Sequence, residues 1–247
     1  MKQTKVVVPV MIASMVAGAS LALWMRDDDS PPQRYVSKES IEQIYDPCVK
    51  VRNTIKLAEE VDGETQKSWF GSGVLLEGLQ KMDFYVLSAE HITADEYYIL
   101  REEQKKLVRK QRKIPVLESK ITIENYLATT LKEDEDADLA LFSVEGNISL
   151  QPYKGKVAHK LYAYDFLIGT GFPNGEKKYF VSSIEKIQTD IVLLNTTLIG
   201  GNSGGGVYRL NNGTLELAGV VSKVQGMTSL EKLRQFLKGT SVEHYLE

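Results

Sequence analysis

Gly200-Gly201-Asn202-Ser203-Gly204-Gly205-Gly206 sets one serine inside a run of glycines. Residues without a Cβ let the chain turn sharply, enter φ > 0 and leave the hydroxyl uncrowded. In such a turn the amides of Gly201 and Ser203 can aim at one spot, where a carbonyl oxygen under attack by the hydroxyl becomes negative. Glycine-rich turns are common, so the stretch gains force only from partners elsewhere. A general base and an acid to orient it are both present upstream. His91 follows Phe84-Tyr85-Val86-Leu87-Ser88-Ala89-Glu90, an apolar strand that ends in small residues and delivers the imidazole at its exit. His159 and His244 read as surface or core residues.

The acidic run Glu133-Asp134-Glu135-Asp136-Ala137-Asp138 reads mostly as a solvated loop. Asp138 differs because it abuts Leu139-Ala140-Leu141-Phe142, so its carboxylate can be drawn under the core toward an imidazole. A buried acceptor there fixes the tautomer and stabilises the imidazolium. Asp136, two residues away on the same side of an extended chain, is the alternative.

The order His…Asp…Ser, carried by Leu87-Ser88-Ala89-Glu90-His91, Asp138-Leu139-Ala140-Leu141 and Gly201-Asn202-Ser203-Gly204-Gly205, resembles the chymotrypsin-fold serine proteases, most closely the HtrA/Deg branch. Gly71–Leu76, Asp165–Gly175 and Leu217–Ser222 resemble further segments of that family, and the likeness spans roughly residues 37–240. It implies an all-β fold of two six-stranded antiparallel barrels with a short N-terminal and a C-terminal helix. It also implies a serine endopeptidase in which Ser203 attacks, His91 moves the proton, Asp138 orients His91, and the amides of Gly201 and Ser203 hold the oxyanion. No cofactor or metal is expected. Substrate would add as a strand along Ser222, Lys223 and Val224, and Thr197, six residues before the serine, would lie at the base of an uncharged specificity pocket. A protein-binding module on the same fold, latent or inactive, is the competing expectation.

Departures from the family pattern bear on regulation. Asn202 replaces the aspartate that receives a new N-terminus in digestive relatives, so activation by trimming is not expected. Glu90 stands where a small residue is usual and would raise the imidazole pKa if close. Gly206 replaces a proline or alanine and adds backbone freedom.

Composition fits a globular protein: 247 residues, 43% apolar and 26% charged. A net charge of −3 argues against bulk nucleic-acid affinity. The one cysteine, Cys48, allows no internal disulfide and reads as core packing in a first strand. Val6 to Met25 is an uncharged run of 20 residues flanked by Lys2, Lys5 and Arg26, long enough to span a bilayer and oriented to leave the rest of the chain outside the cytoplasm. Cleavage after its small residues would instead release a secreted protein.

The expected plan is thus an anchor or signal at 1–29, a stiff linker at 30–36, a first barrel at 37–146 and a second barrel with the last helix at 147–247. Strands are expected at 48–52, 68–76, 83–88, 96–100, 120–125 and 139–144. A second set is expected at 161–168, 177–186, 190–195, 206–209, 215–222 and 223–225. Residues 101–113, with seven Lys or Arg, read as a solvated loop or helix, and Gly169-Thr170-Gly171 as a turn shaping the cleft. A helix starts at Ser37 and ends before Pro47, and another starts at Thr228 with Glu231 in capping-box position. The chain stops 44 residues after Ser203, too few for a PDZ module. The expected partners are protein or peptide substrates and, through residues 6–25, a membrane.

Overall fold

A computed structural model describes residues 21–23, 34–36, 38–80, 83–93, 97–102, 109–146, 148–222 and 226–247. Short strands β1 (Leu21–Leu23) and β2 (Arg34–Val36) pair with each other. Helix α1 (Lys38–Tyr45) follows. Next come β3 (Cys48–Val61), β4 (Glu64–Glu77), β5 (Phe84–Ser88), β6 (Tyr97–Glu102) and β7 (Arg109–Ile114). Strands β8 (Val116–Ile123), β9 (Tyr126–Asp134) and β10 (Leu139–Val144) complete the first half.

The second half contains β11 (Phe166–Gly171), β12 (Lys178–Ile187), β13 (Ile191–Leu194), β14 (Gly206–Asn211), β15 (Thr214–Val220) and β16 (Gly226–Thr228), then helix α2 (Leu230–Leu237). Strands β10-β5-β4-β3-β8-β9 close into an antiparallel barrel. Strands β15-β14-β11-β12-β13-β16 form a six-stranded antiparallel sheet whose two edges meet at the Val221–Met227 bridge. The all-β architecture of two six-stranded units with two short helices is the one the sequence led us to expect.

Period-2 alternation explains how the halves join. In β10, Ala140, Phe142 and Val144 pack inside the first barrel with Val49, Val51, Leu75 and Val86. Leu139 and Leu141 point the other way, into a second core with Val74, Leu76 and Leu87. There they meet Ile168, Tyr208 and Leu217 of the second sheet, Ile44 of α1, and Leu233, Phe236 and Leu237 of α2. Both faces of β10 are therefore buried, which is why it reads as a continuous apolar run. Each such aliphatic side chain contributes about 2 kcal/mol. Leu167, Ile184, Val192 and Val207 fill the second sheet's own interior. The seam between the units is a packed core, and the candidate site opens along it.

Several local expectations need correction. Residues 126–134 form β9 of the barrel, although no strand was expected there; most of its residues are half-buried or exposed, so the apolar signal is weak. Residues 97–102 are a strand but lie outside the barrel; among the described residues they pair with β7 alone, as a two-stranded ribbon. β7 falls in the basic stretch expected to be a loop or helix; strand pairing satisfies its backbone whatever side chains it carries.

Gly169-Thr170-Gly171 is strand, not turn. A Cβ at Gly169 would lie 2.0 Å from the Phe180 ring, so the glycine permits close strand packing. Residues 161–165 precede β11 rather than forming part of it. The cap of α2 is Ser229, whose side chain accepts from the Lys232 amide; Thr228 belongs to β16. Residues 34–36, expected as linker, are strand β2.

Of the apolar stretch 6–25, the structure describes Leu21–Leu23, as strand; the rest lies outside the described residues, as do Ser37 and residues 223–225. Among the described residues no helix is long and apolar enough to cross a membrane.

Candidate active site

His91 lies on a single 3-10 turn, Glu90–Ile92, just after β5. That turn is pinned from below, because the Ile92 carbonyl accepts from both Trp69 Nε1 (2.9 Å) and Asn53 Nδ2 (3.1 Å). Asp138 ends the turn that leads into β10 and has a left-handed backbone, φ 52°. A non-glycine residue in that region costs energy and persists where its surroundings dictate it.

Its carboxylate Oδ1 accepts from the His91 backbone N–H at 3.0 Å and lies 2.9 Å from His91 Nδ1, with Oδ2 at 3.0 Å. Ser222 Oγ, from the second unit, donates to Oδ2 at 2.5 Å. Burial pushes the carboxyl upward, but the His91 and Ser222 hydrogen bonds outweigh it and hold its pKa at about 2. An ionised carboxylate on Nδ1 leaves Nε2 as the imidazole's outward nitrogen.

Asp136, the alternative acid, is exposed, and its backbone carbonyl accepts from Lys232 Nζ. Burial, followed by Asp138, Glu133 and Glu135, raises the Glu90 carboxyl, against an opposing pull from His91. His159 is exposed and His244 is half-buried against the Tyr245 ring. Cys48 is buried in β3 with its thiol pushed up to about 11, mainly by burial, which keeps it protonated and inert.

The serine turn is placed through its own backbone groups rather than its own side chains. The Ser72 amide donates to the Ser203 carbonyl at 2.7 Å, and Ser72 Oγ donates to the Gly201 carbonyl at 2.6 Å. Ser72 Oγ also accepts from the Phe172 amide. The second unit's turn is thereby fastened onto β4 of the first barrel. Gly201 and Gly204 have φ of 95° and 84°. A Cβ at Gly204 would come 2.0 Å from the Ser72 carbonyl and 3.0 Å from the Ala89 amide, two residues before His91. Only glycine satisfies both the handedness and the space.

Gly206 opens β14, and a Cβ there would lie 2.4 Å from Tyr208 Oη, so the glycine makes room for that side chain. Among the described residues the amides of Gly201 and Ser203 donate to no group of the chain, and Ser203 Oγ makes no hydrogen bond to His91 or any other residue. The arrangement therefore unites His91 and Asp138 directly and brings Ser203 to their side of the seam through the backbone.

The remaining expected residues divide. The Ser222 side chain serves Asp138, while its amide bonds the Gly226 carbonyl at 3.1 Å. Lys223 and Val224 lie outside the described residues. Thr197 is exposed in the segment between β13 and the serine turn. A cleft of about 1060 Å³ between residues 187–192 and α2 includes neither Thr197 nor Ser203.

Ser72 was not singled out from the sequence. Its one local signal is a small polar residue between Gly71 and Gly73 in an apolar strand. Nothing local marks Ser222 as a partner of Asp138, since 84 residues separate them. Among the described residues no group of histidine, cysteine and carboxylate side chains is arranged to hold a metal.

The pair of six-stranded antiparallel sheets is consistent with a chymotrypsin-like fold. No family model matches the chain, and no curated protein matches it either.

Proposed function

We propose that this chain is a serine endopeptidase of trypsin-like, HtrA-like character that cleaves peptide bonds through an acyl-enzyme. The observation that supports it best is the bond from His91 Nδ1 to a buried ionised carboxylate, beside a serine turn whose Gly201 and Ser203 amides have no acceptor among the described residues. Ser203 Oγ attacks the scissile carbonyl carbon as His91 Nε2 takes its proton. Asp138 keeps the second imidazole proton on Nδ1 and balances the imidazolium charge. The two amides hold the oxyanion, and its collapse expels the amine, which leaves with the proton from Nε2. Water then gives a proton to Nε2 and attacks the ester, and the acid departs as Ser203 regains its hydrogen. The missing Ser203–His91 hydrogen bond forms as substrate seats, a common tightening in such sites.

The acyl side of the substrate would pair with the chain at Ser222, Lys223 and Val224. Thr197, being uncharged, would favour a small or medium apolar residue before the cut. With residues 6–25 as anchor, the proteolytic domain would face the extracytoplasmic side.

The test is labelling of the full chain by a fluorophosphonate, beside His91→Ala and Ser203→Ala. Labelling of the wild type alone is expected. A wild type that stays unlabelled overturns the enzyme reading in favour of a latent or inactive binding module.

A further inference from the structure

Two lysines converge beside the serine turn, and among the described residues no carboxylate forms an ion pair with them. Lys50 sits in β3 opposite Ser72 of β4. Its Nζ stands 5.2 Å from the centre of the Phe172 ring and 5.5 Å from that of Phe70. Lys177, just before β12, brings Nζ to 5.7 Å from the same Phe172 ring and 5.2 Å from the Tyr45 ring, and donates to the Tyr45 carbonyl. Both lysines are half-buried. Among the described residues neither forms an ion pair. Of the nearby carboxylates, Glu124 accepts the Lys50 backbone amide at 2.8 Å, Glu176 pairs with Lys178 at 2.9 Å and Asp46 adjoins Tyr45, but none of the three forms an ion pair with either lysine.

The location gives this pair a use. A Cβ on Gly201 would lie 3.0 Å from the Phe70 ring, and one on Gly175 would lie 3.7 Å from Phe70 and 3.9 Å from Lys50 Nζ. The Gly201 carbonyl accepts from the Phe172 amide. The cationic and aromatic cluster thus borders the oxyanion turn on its Gly201 flank. The opposite flank runs from Gly204, whose amide donates to the Val221 carbonyl at 2.8 Å, into Ser222 and the edge assigned to the acyl side of the substrate. An extended chain crossing Ser203 from that edge leaves over Phe70.

We propose that Lys50 and Lys177, with the Phe70 and Phe172 rings, form a subsite for a carboxylate side chain on the leaving-group side of the cut. Preferred substrates are then protein segments with Glu or Asp just after the scissile bond. The proposal rests on Ser203 as the nucleophile, which defines the two sides. Ring faces hold the ammonium groups in place, and partial burial strengthens their attraction for an incoming anion. The chain as a whole carries −3, so the positive field is local and selects a residue rather than an acidic polymer.

The test uses the full chain carrying Ser203→Ala, so that nothing is consumed. Its binding is measured by fluorescence anisotropy with peptides that differ only as Glu or Gln at the first two leaving-group positions. The Glu peptide is expected to bind about tenfold tighter at low salt, with the difference shrinking as salt rises. Adding Lys50→Gln and Lys177→Gln removes the difference, and Lys50→Arg with Lys177→Arg keeps it. Equal affinities, undetectable binding of the Glu peptide, or a preference that survives both glutamines overturns the subsite. Fluorophosphonate labelling of the wild type reports separately on the nucleophile. Labelling without a Glu preference rejects the subsite alone, whereas no labelling rejects the hydrolytic reading.

Discussion

The two halves of the candidate site are built by different means. His91 and Asp138 are joined within the first barrel: the carboxylate accepts from the His91 amide, faces Nδ1 with both oxygens, and accepts from Ser222 Oγ. Ser203 is held through its own carbonyl, the Gly201 carbonyl and glycines that fit where no side chain could, and among the described residues its hydroxyl bonds nothing. The His91–Asp138 half is therefore set electrostatically. Ser203 is set by shape, and under the proposed function its hydrogen bond to His91 would form as substrate seats. Changes to the first half should alter charge and proton transfer, and changes to the second should alter folding of the turn.

Asp138→Asn breaks the comparison most severely. An amide on Nδ1 stabilises the wrong tautomer, so peptide hydrolysis should fall by about 10⁴-fold in kcat, measured at neutral pH. A loss of less than tenfold would mean that His91 does not depend on its partner.

Next in size is Gly204→Ala. The added Cβ falls on the Ser72 carbonyl and Ser88 Oγ at a φ of 84°, and neither obstacle is the end of a flexible chain. We expect about 3 kcal/mol of destabilisation in urea unfolding, together with lost labelling of Ser203. Gly200→Ala is the control: its Cβ would meet nothing within 4 Å, and stability should move by less than about 0.5 kcal/mol.

What could be read from the sequence follows the same division. His91 and Asp138 stand at ends of apolar runs and Ser203 within a run of glycines, so local pattern singled them out. The barrel strands β3, β4, β5 and β10 carry strong apolar signals for the same reason. β9 escaped because, although one of the six barrel strands, it fully buries only Ala128. The ribbon β6–β7 escaped because a basic run gives no apolar period, whereas its pairing depends on the backbone. Thr228 was mistaken for the α2 cap because two hydroxyl residues adjoin. Thr228 is taken by pairing with Ile191 and by its bond to the Ala137 carbonyl, which leaves Ser229 for the helix. Ser72 and Ser222 act across the seam, and long-range contacts of that kind leave no local trace.

Acid stability sharpens the electrostatic half. The Asp138 carboxyl is held at about 2 against an ordinary 3.8, so folding gains from its ionisation above the unfolded value. That gain, about 2 kcal/mol, is complete at neutral pH and is lost as pH falls from about 4 through about 2. Asp138→Asn should therefore be less stable at pH 7 yet lose less stability over that acid window. Urea midpoints at several pH values provide the measurement, and parallel curves for the two proteins would contradict the assignment.

Ser222→Ala is the smallest and most discriminating change. It removes one donor to Oδ2 while the Oδ1 bonds from His91, amide and ring, stay in place. The buried carboxylate loses a hydrogen bond, so its pKa should rise from about 2 and the acid transition should begin at higher pH. The cost in stability should be about 1 kcal/mol, since the carboxylate keeps its other partners. Labelling of Ser203 should slow by about tenfold at most, because the imidazole is oriented from within the first barrel. Slowing as large as that of Asp138→Asn would show that the second unit, through Ser222, sets the imidazole as well as the nucleophile. The two halves would then be a single network across the seam.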